Sequence, residues 1–435
     1  MIETLYTIAT FVVVLSVVVF VHEYGHYIVG RWCGIHAEVF SLGMGPRLGG
    51  WTDRHGTHWQ VAAIPLGGYV KFLGDANAAS AGPNGLSNVA VDDQGRTLLG
   101  AALWKRALTV AAGPIANFIL SILIFAGLVF ATGIVRNDLR LGEFATDPID
   151  LRVGDEIVAY EGQPIEAFFE IYEFASGDDA EGPRNYTVLR DGRELDVRGP
   201  YPYPALVGFV QPLSAAANAG VQPGDLIIGF NGVAVQSFDN IRDLVRSGGA
   251  GEREMVILRD GQELSLTVKP EISDVLDENG EFVERVQLGI GAEPAFSLMT
   301  ETPGFGEAAQ FGVARTWMVI TTSLDGIYHI IRGDLGADNL QGPIGIARAS
   351  ADTASSGLID LIGWIGLIST AIGLMNLFPI PVLDGGHLVL YAYEAVRGRP
   401  PRERIANALT ACGLSLLLTL MVFATYNDVL RLLNA

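Results

Sequence analysis

The run Val21-His22-Glu23-Tyr24-Gly25-His26-Tyr27 holds two histidines four positions apart with a glutamate between them. Side chains at that spacing share one face of a helix, so His22 and His26 can hold one metal ion while Glu23 stands beside it as a base. This is the zinc-hydrolase pattern. Its setting is unusual, because residues 5–21 carry no charge and are long enough to enter a bilayer. Metal-binding groups are costly there, so their presence is itself a functional signal. Five residues can also match by chance and leave two interfacial histidines. The rest of the chain must therefore supply what the motif lacks, a third ligand and a reason for the location.

The composition fits a membrane protein: 435 residues, 49% hydrophobic, with a mean hydropathy of +0.34. Cys33 and Cys412 are the two cysteines, which excludes a disulfide framework or a cysteine zinc site. Residues 136–355 carry 16 Lys/Arg against 36 Asp/Glu, which is the whole net charge of -20. Such acidity argues against nucleic acid as a partner and places this segment away from the anionic cytoplasmic leaflet. No basic region precedes the first apolar run, so a cleaved signal peptide is disfavoured. Arg31, Arg47, Arg54, Lys71 and Arg96 follow that run. The positive-inside rule then puts the N-terminus outside and the histidines near the cytoplasmic end of the first span.

Several elements have to position these residues. Between 36 and 75 the Gly-rich alternation, with Pro65-Leu66-Gly67-Gly68-Tyr69-Val70-Lys71, predicts strand-turn-strand with its proline at an edge or bend. An open strand edge near a metal could hold an extended peptide, although a plain surface hairpin accounts for the same pattern. Residues 76–95 read as loop. A second span, about 107–135, opens with Gly113-Pro114-Ile115-Ala116-Asn117, where Asn117 is either a functional polar group or part of a packing notch. Residues 305–332 are apolar but broken by Arg315, Asp325 and His329, which fits an amphipathic helix or a further span. Strong spans recur at about 358–378 and 405–426. Four spans fit better than five, because only then does Asp384, in Asn376-Leu377-Phe378-Pro379-Ile380-Pro381-Val382-Leu383-Asp384-Gly385-Gly386, emerge on the same face as the histidines. The arginines at 397, 399, 402 and 404 mark the following loop as cytoplasmic. A catalytic zinc keeps three protein ligands and one open position. Asp384 is the best third candidate, His387 the next, and the loop residues His36, His55 and His58 less favoured.

The acidic segment repeats. Val153–Gly162 matches Pro223–Gly232, and Arg190-Asp191-Gly192 matches Arg259-Asp260-Gly261, at offsets of 70 and 69 residues. Gly-Asp-x-Ile followed by a turn resembles PDZ domains, which take an extended peptide onto a sheet edge. In the second copy Leu206-Val207-Gly208-Phe209 resembles the carboxylate-binding loop. The first copy has a shorter segment before its Gly-Asp strand, which points to a spacer or steric filter.

HEYGH, PLGGYVK, GPIAN, the two PDZ-like units, GPIGIA at 342–347 and NLFPIPVLDGG, in this order over nearly the whole chain, resemble the site-2 protease family of intramembrane zinc metalloproteases, peptidase family M50. The resemblance implies one Zn2+ held by His22, His26 and Asp384, with Glu23 as catalytic base. It further implies that Pro65, Leu66, Gly67, Gly68, Tyr69 and Val70 guide substrate in a membrane-re-entrant β-structure, and that Asn376, with Pro379 and Pro381 in its motif, helps hold the extended chain. Implied partners are the bilayer and single-pass membrane proteins trimmed beforehand by a site-1 protease, among them an anti-sigma factor of the envelope stress response and remnant signal peptides. The expected architecture is an α-helical polytopic membrane protein with two inserted β-rich PDZ-like domains. Its parts are 1–135 (two spans, HEYGH and β-region), 136–204 and 205–272 (the PDZ-like units), 273–355 (a linker with an amphipathic helix) and 356–435 (two spans and the LDGG motif). The expected location is a bacterial inner membrane, with both termini and the PDZ pair periplasmic. The rival classes are a membrane scaffold that captures C-termini, which would not need Glu23 beside both histidines, and a metal transporter, which would need polar residues spread through several spans.

Overall fold

The computed structural model describes residues 2–74, 91–136, 139–176, 182–276 and 282–434. Of the expected loop 76–95, residues 76–90 lie outside the described residues and Val91–Arg96 form a short 3-10 helix. The apolar N-terminal run and the HEYGH form one unbroken helix, α1 (Ile2–Trp32). With α2 (Leu103–Thr132), α8 (Leu358–Asn376) and α10 (Glu403–Asn434), it completes, among the described residues, a set of four helices long and apolar enough to cross a membrane, the number expected. Helix α6 (Phe305–Arg332) is not in that set among the described residues. It buries the small side chains Ala308, Gly312 and Thr316, and Gly312 lies against the Ile122 carbonyl and Ala126 of α2. Helices α7 (Pro343–Ser356) and α9 (Asp384–Arg397) are short and intervene between the longer ones. GPIGIA opens α7, whose first N–H groups, on Gly342 and Gly345, donate to Asp428 of α10 at 3.0 and 2.9 Å.

The chain divides into two compact units, one formed by residues 1–128, 306–331 and 340–429, the other by 129–305, 332–339 and 430–435. In the first unit, β1 (Ala37–Thr52) and β2 (His58–Phe72) form a hairpin folded over on itself. Phe40 pairs with both Trp59 and Val70, and Leu42 with both Val61 and Gly68. The 37–42 segment is thus central, and 68–72 is an outer strand with one paired edge among the described residues. Phe40 stacks on Trp59 at 4.2 Å, and Tyr27 of α1 packs edge-on against Trp59 at 5.1 Å. Asp53 ties the hairpin tip to α1. Burial alone would raise its carboxyl, but donors from Trp59, His55, Thr57 and Tyr27 outweigh that and hold it at about 2.

The second unit begins with β3 (Ile134–Val135) and contains both repeat copies. The first copy comprises β4 (Leu141–Phe144), β5 (Glu156–Tyr160), β6 (Gln163–Pro164), α3 (Phe168–Ala175), β7 (Arg184–Arg190) and β8 (Arg193–Gly199). The second comprises β9 (Val207–Val210), α4 (Ala215–Asn218), β10 (Leu226–Phe230), β11 (Val233–Ala234), α5 (Phe238–Gly248), β12 (Arg253–Arg259) and β13 (Gln262–Val268). Their four-stranded sheets have the same order, β6-β5-β7-β8 and β11-β10-β12-β13. The repeated motif is a buried anchor. Arg190 forks onto Asp155 at 2.7 Å twice, and Arg259 onto Asp225 at 2.6 and 2.7 Å, with both aspartates 1% exposed.

Residues 273–355, expected as a linker, also complete both copies. After the hairpin of β14 (Glu271–Leu276) and β15 (Phe282–Gln287), β16 (Ile290–Ala292) pairs with β9, β17 (Phe296–Leu298) with β4, and β18 (Thr300–Glu301) with β3. The second copy is therefore inserted into the first, whose β4 meets its partner about 150 residues later.

Candidate metal centre

Three donor atoms converge in the first unit: His22 Nε2, His26 Nε2 and Asp384 Oδ2. The two nitrogens are 3.2 Å apart, and the carboxylate oxygen is 3.2 Å from one and 3.4 Å from the other. Zinc bonds of about 2.05 Å to tetrahedral ligands put neighbouring donors about 3.3 Å apart, so the trio fits one zinc ion without rearrangement. Asp384 Oδ2 is buried and has no other hydrogen-bond partner. A carboxylate oxygen and two imidazole nitrogens aimed at one point form a donor set that suits zinc.

Helical spacing supplies the first two ligands, as the sequence predicts. Asp384 is the first residue of α9, after a turn over 377–383. Gly385 and Gly386 lie against the carbonyls of Leu377 and Ile380, where a Cβ would collide. The turn closes tightly enough to aim the carboxylate only because these positions have no side chain. His387 stands one turn along α9 and is not one of the convergent donors, nor are His36, His55 and His58 on the hairpin.

A part of the site that the motif does not announce comes from α2. His26 Nδ1 donates to the Thr109 carbonyl at 2.9 Å, and His22 Nδ1 faces the Asn117 carboxamide at 3.3 Å. Gly113, midway between them, lies under both rings; a Cβ there would collide with His26 and sit 2.9 Å from His22 Cε1. Residues 109, 113 and 117 form one i, i+4, i+8 stripe. The GPIAN run is therefore a cradle for the two histidines, and Gly25 completes the close approach by fitting against Ala112 and Ala116.

The outer strand of β2 passes Glu23. A Cβ on Gly68 would be 3.1 Å from Glu23 Cγ, so the strand runs directly against the Glu23 side chain. Gly67, Tyr69 and Pro65 lie on the same segment, half-buried; the side chain of Leu66 lies outside the described residues. Asn376 ends α8, with its Nδ2 donating to the Ile372 carbonyl at 3.0 Å. Pro379 is exposed, and Pro381 is half-buried against Gly413 of α10.

The expected loop Leu206-Val207-Gly208-Phe209 is otherwise engaged. Val207 N–H donates to the Asp225 carbonyl, the Leu206 carbonyl accepts from Glu293, and Phe209 pairs with Gly291. An open cleft of about 230 Å³ lies instead between α5 and the segment from Val286 to Ile290, walled by Phe238, Ile241, Val245, Leu288, Arg246 and Arg285. On its wall, Gln287-Leu288-Gly289-Ile290 is a Gly-containing turn into a strand that follows the repeat instead of opening it.

The sequence matches the model of peptidase family M50 over residues 10–420. It is 39% identical over 426 residues to a Rhizobium meliloti protein whose name describes a zinc metalloprotease, covering 98% of this chain and 96% of that one. It is also 32% identical over 468 residues to the regulator of sigma-E protease of Escherichia coli, covering 99% of this chain and all of that one. With the convergent donors and four apolar helices, these matches show that the chain belongs to peptidase family M50, the membrane zinc metalloproteases.

Proposed function

We propose that the protein is an intramembrane endopeptidase that cleaves single-pass transmembrane segments, with His22, His26 and Asp384 as zinc ligands and Glu23 as general base and acid. The observation that carries this reading is the meeting of three convergent donor atoms with an outer strand that passes against Glu23. Zinc held there supplies Lewis acidity to the scissile carbonyl and the attacking water. Glu23 takes the proton from that water and returns it to the leaving amine. A peptide bond within a membrane helix is hydrogen-bonded and must be unwound before attack. Strand addition along residues 65–70 would hold it extended, with Asn376 and the Pro379–Pro381 turn as further contacts.

In this reading the repeat pair consists of periplasmic PDZ-like domains, and the second one receives the new C-terminus left by a site-1 protease. The name of the Escherichia coli relative points to sigma-E control, which suggests an anti-sigma factor as one substrate; remnant signal peptides have the same single-span chemistry. The inner membrane of a bacterium is the corresponding location. Glu23→Gln should retain bound zinc while slowing cleavage of a detergent-solubilised model substrate by about 100-fold or more, and Asp384→Ala should lose the zinc. Cleavage retained by Glu23→Gln would overturn the mechanism.

A further inference from the structure

We propose that Asn117 is the positioning residue for the metal ligand His22, accepting a hydrogen bond from its Nδ1–H and thereby fixing both its tautomer and its ring plane. The inference rests on reading His22 as a zinc ligand. A neutral imidazole that binds metal through Nε2 carries its proton on Nδ1, and that N–H is held by an acceptor. His26 has such an acceptor in the Thr109 carbonyl, a group that can only accept. His22 has one candidate among the described residues, the Asn117 carboxamide at 3.3 Å.

The two ends of a carboxamide have the same shape, so its orientation follows from the hydrogen bond it must make. With the amide nitrogen towards His22, Nδ1 would have to accept, and the ring proton would sit on Nε2. That atom points at His26 and Asp384, so this tautomer could not bind the ion. With the carbonyl oxygen towards His22, Nδ1–H donates and Nε2 presents its lone pair. The structure has the amide nitrogen at this contact, and the role of His22 Nε2 as metal donor requires the second orientation.

Two observations separate this role from packing. Asn117 is 0% exposed, and among the described residues its carboxamide has no hydrogen-bond partner besides His22, so its amide does not serve to join helices. Joining is done by its backbone carbonyl, which accepts from Ser369 of α8 at 2.9 Å and also from Ser121, one turn on in α2, at 3.0 Å. Both bonds fix where the amide stands without using it. One helix thus delivers an acceptor to each histidine, a carbonyl at 109 and a side chain at 117, with Gly113 giving both rings room.

The test uses the full-length protein in detergent and reads zinc retention against a graded chelator, with the melting temperature of the metal-free form as a fold control. Asn117→Leu, similar in size but unable to accept, should lower zinc affinity by about 10- to 100-fold. Asn117→Asp keeps an acceptor and should stay within a few-fold of the parent. Parental affinity in Asn117→Leu, or equal loss in both variants, overturns the proposal. A parallel His22→Ala arm separates it from the reading beneath it, because zinc retained by His22→Ala would overturn the ligand assignment itself. A measurement that needs no variant is 15N resonance of histidine in the zinc-loaded parent. A hydrogen-bonded proton on His22 Nδ1 is expected, and an unprotonated Nδ1 overturns the proposal.

Discussion

The two repeat copies share sheet order and the buried Asp–Arg anchor, yet differ in the space beside their longest helices, α3 and α5. In the second copy the cleft between α5 and residues 286–290 is open. In the first the equivalent position beside α3 is taken by the chain itself. The Tyr201 hydroxyl donates to the Ala175 carbonyl at 3.0 Å, and the Pro202 carbonyl accepts from Ala295 at 2.8 Å. Tyr203 packs on Tyr172 at 5.1 Å, and Phe168 meets Phe296 at 6.1 Å. Residues 201–203 also lead into the second copy, so the connection between copies closes the groove of the first. Duplication kept the scaffold, and insertion of one copy into the other decided which groove stayed free.

The shared anchor gives the largest expected effect. Asp225→Ala leaves Arg259 without its buried partner and should destabilise the second copy by about 3 kcal/mol; Asp155→Ala should do the same to the first. Chemical unfolding followed by site-specific proteolysis would read this, and a large loss in one copy alone would break the equivalence. Phe238 and Phe168 test the difference, since each opens its helix at corresponding positions. Phe238→Ala should weaken binding of a fluorescent peptide with a free apolar C-terminal residue by about 10-fold, about 1.4 kcal/mol, with little change in melting temperature. Phe168→Ala should lower melting temperature and leave peptide binding alone. The reverse pattern would mean that the first groove is the working one. The smallest effect concerns the contact between copies, where Tyr172 donates to Asp239 at 3.0 Å and accepts from Arg242, a residue of the cleft wall. Tyr172→Phe should cost about 1 kcal/mol. A shift in peptide affinity along with it would show that the two copies communicate.

Local pattern carried the reading far at the metal centre. His22 and His26 follow from helical spacing, and Asp384 from the count of spans together with a turn rich in proline and glycine. The four apolar helices were legible because bilayer thickness fixes their length. Asn117 stood out as a polar residue in a span, but its partner was hidden, since nothing in the order of residues says that it faces a ring 95 positions earlier. The Thr109 carbonyl left no trace, because every residue has one. The groove was sought at Leu206–Phe209 because repeats are read from their first residue onwards. The open cleft of the second copy is walled instead on one side by residues that follow it, in a strand pairing that sequence offsets do not encode.

The sequence by itself determined the donor set, the apolar spans and the duplication, all of which depend on residue type and short-range spacing. Tertiary structure decided how those parts meet. Gly113 lets α2 come under the histidines, residues 68–72 pass Glu23, and β17 returns to β4 across an entire inserted copy. These are outcomes of close packing and long-range strand pairing, which depend on where chain segments lie in space and not on which residues are neighbours in sequence.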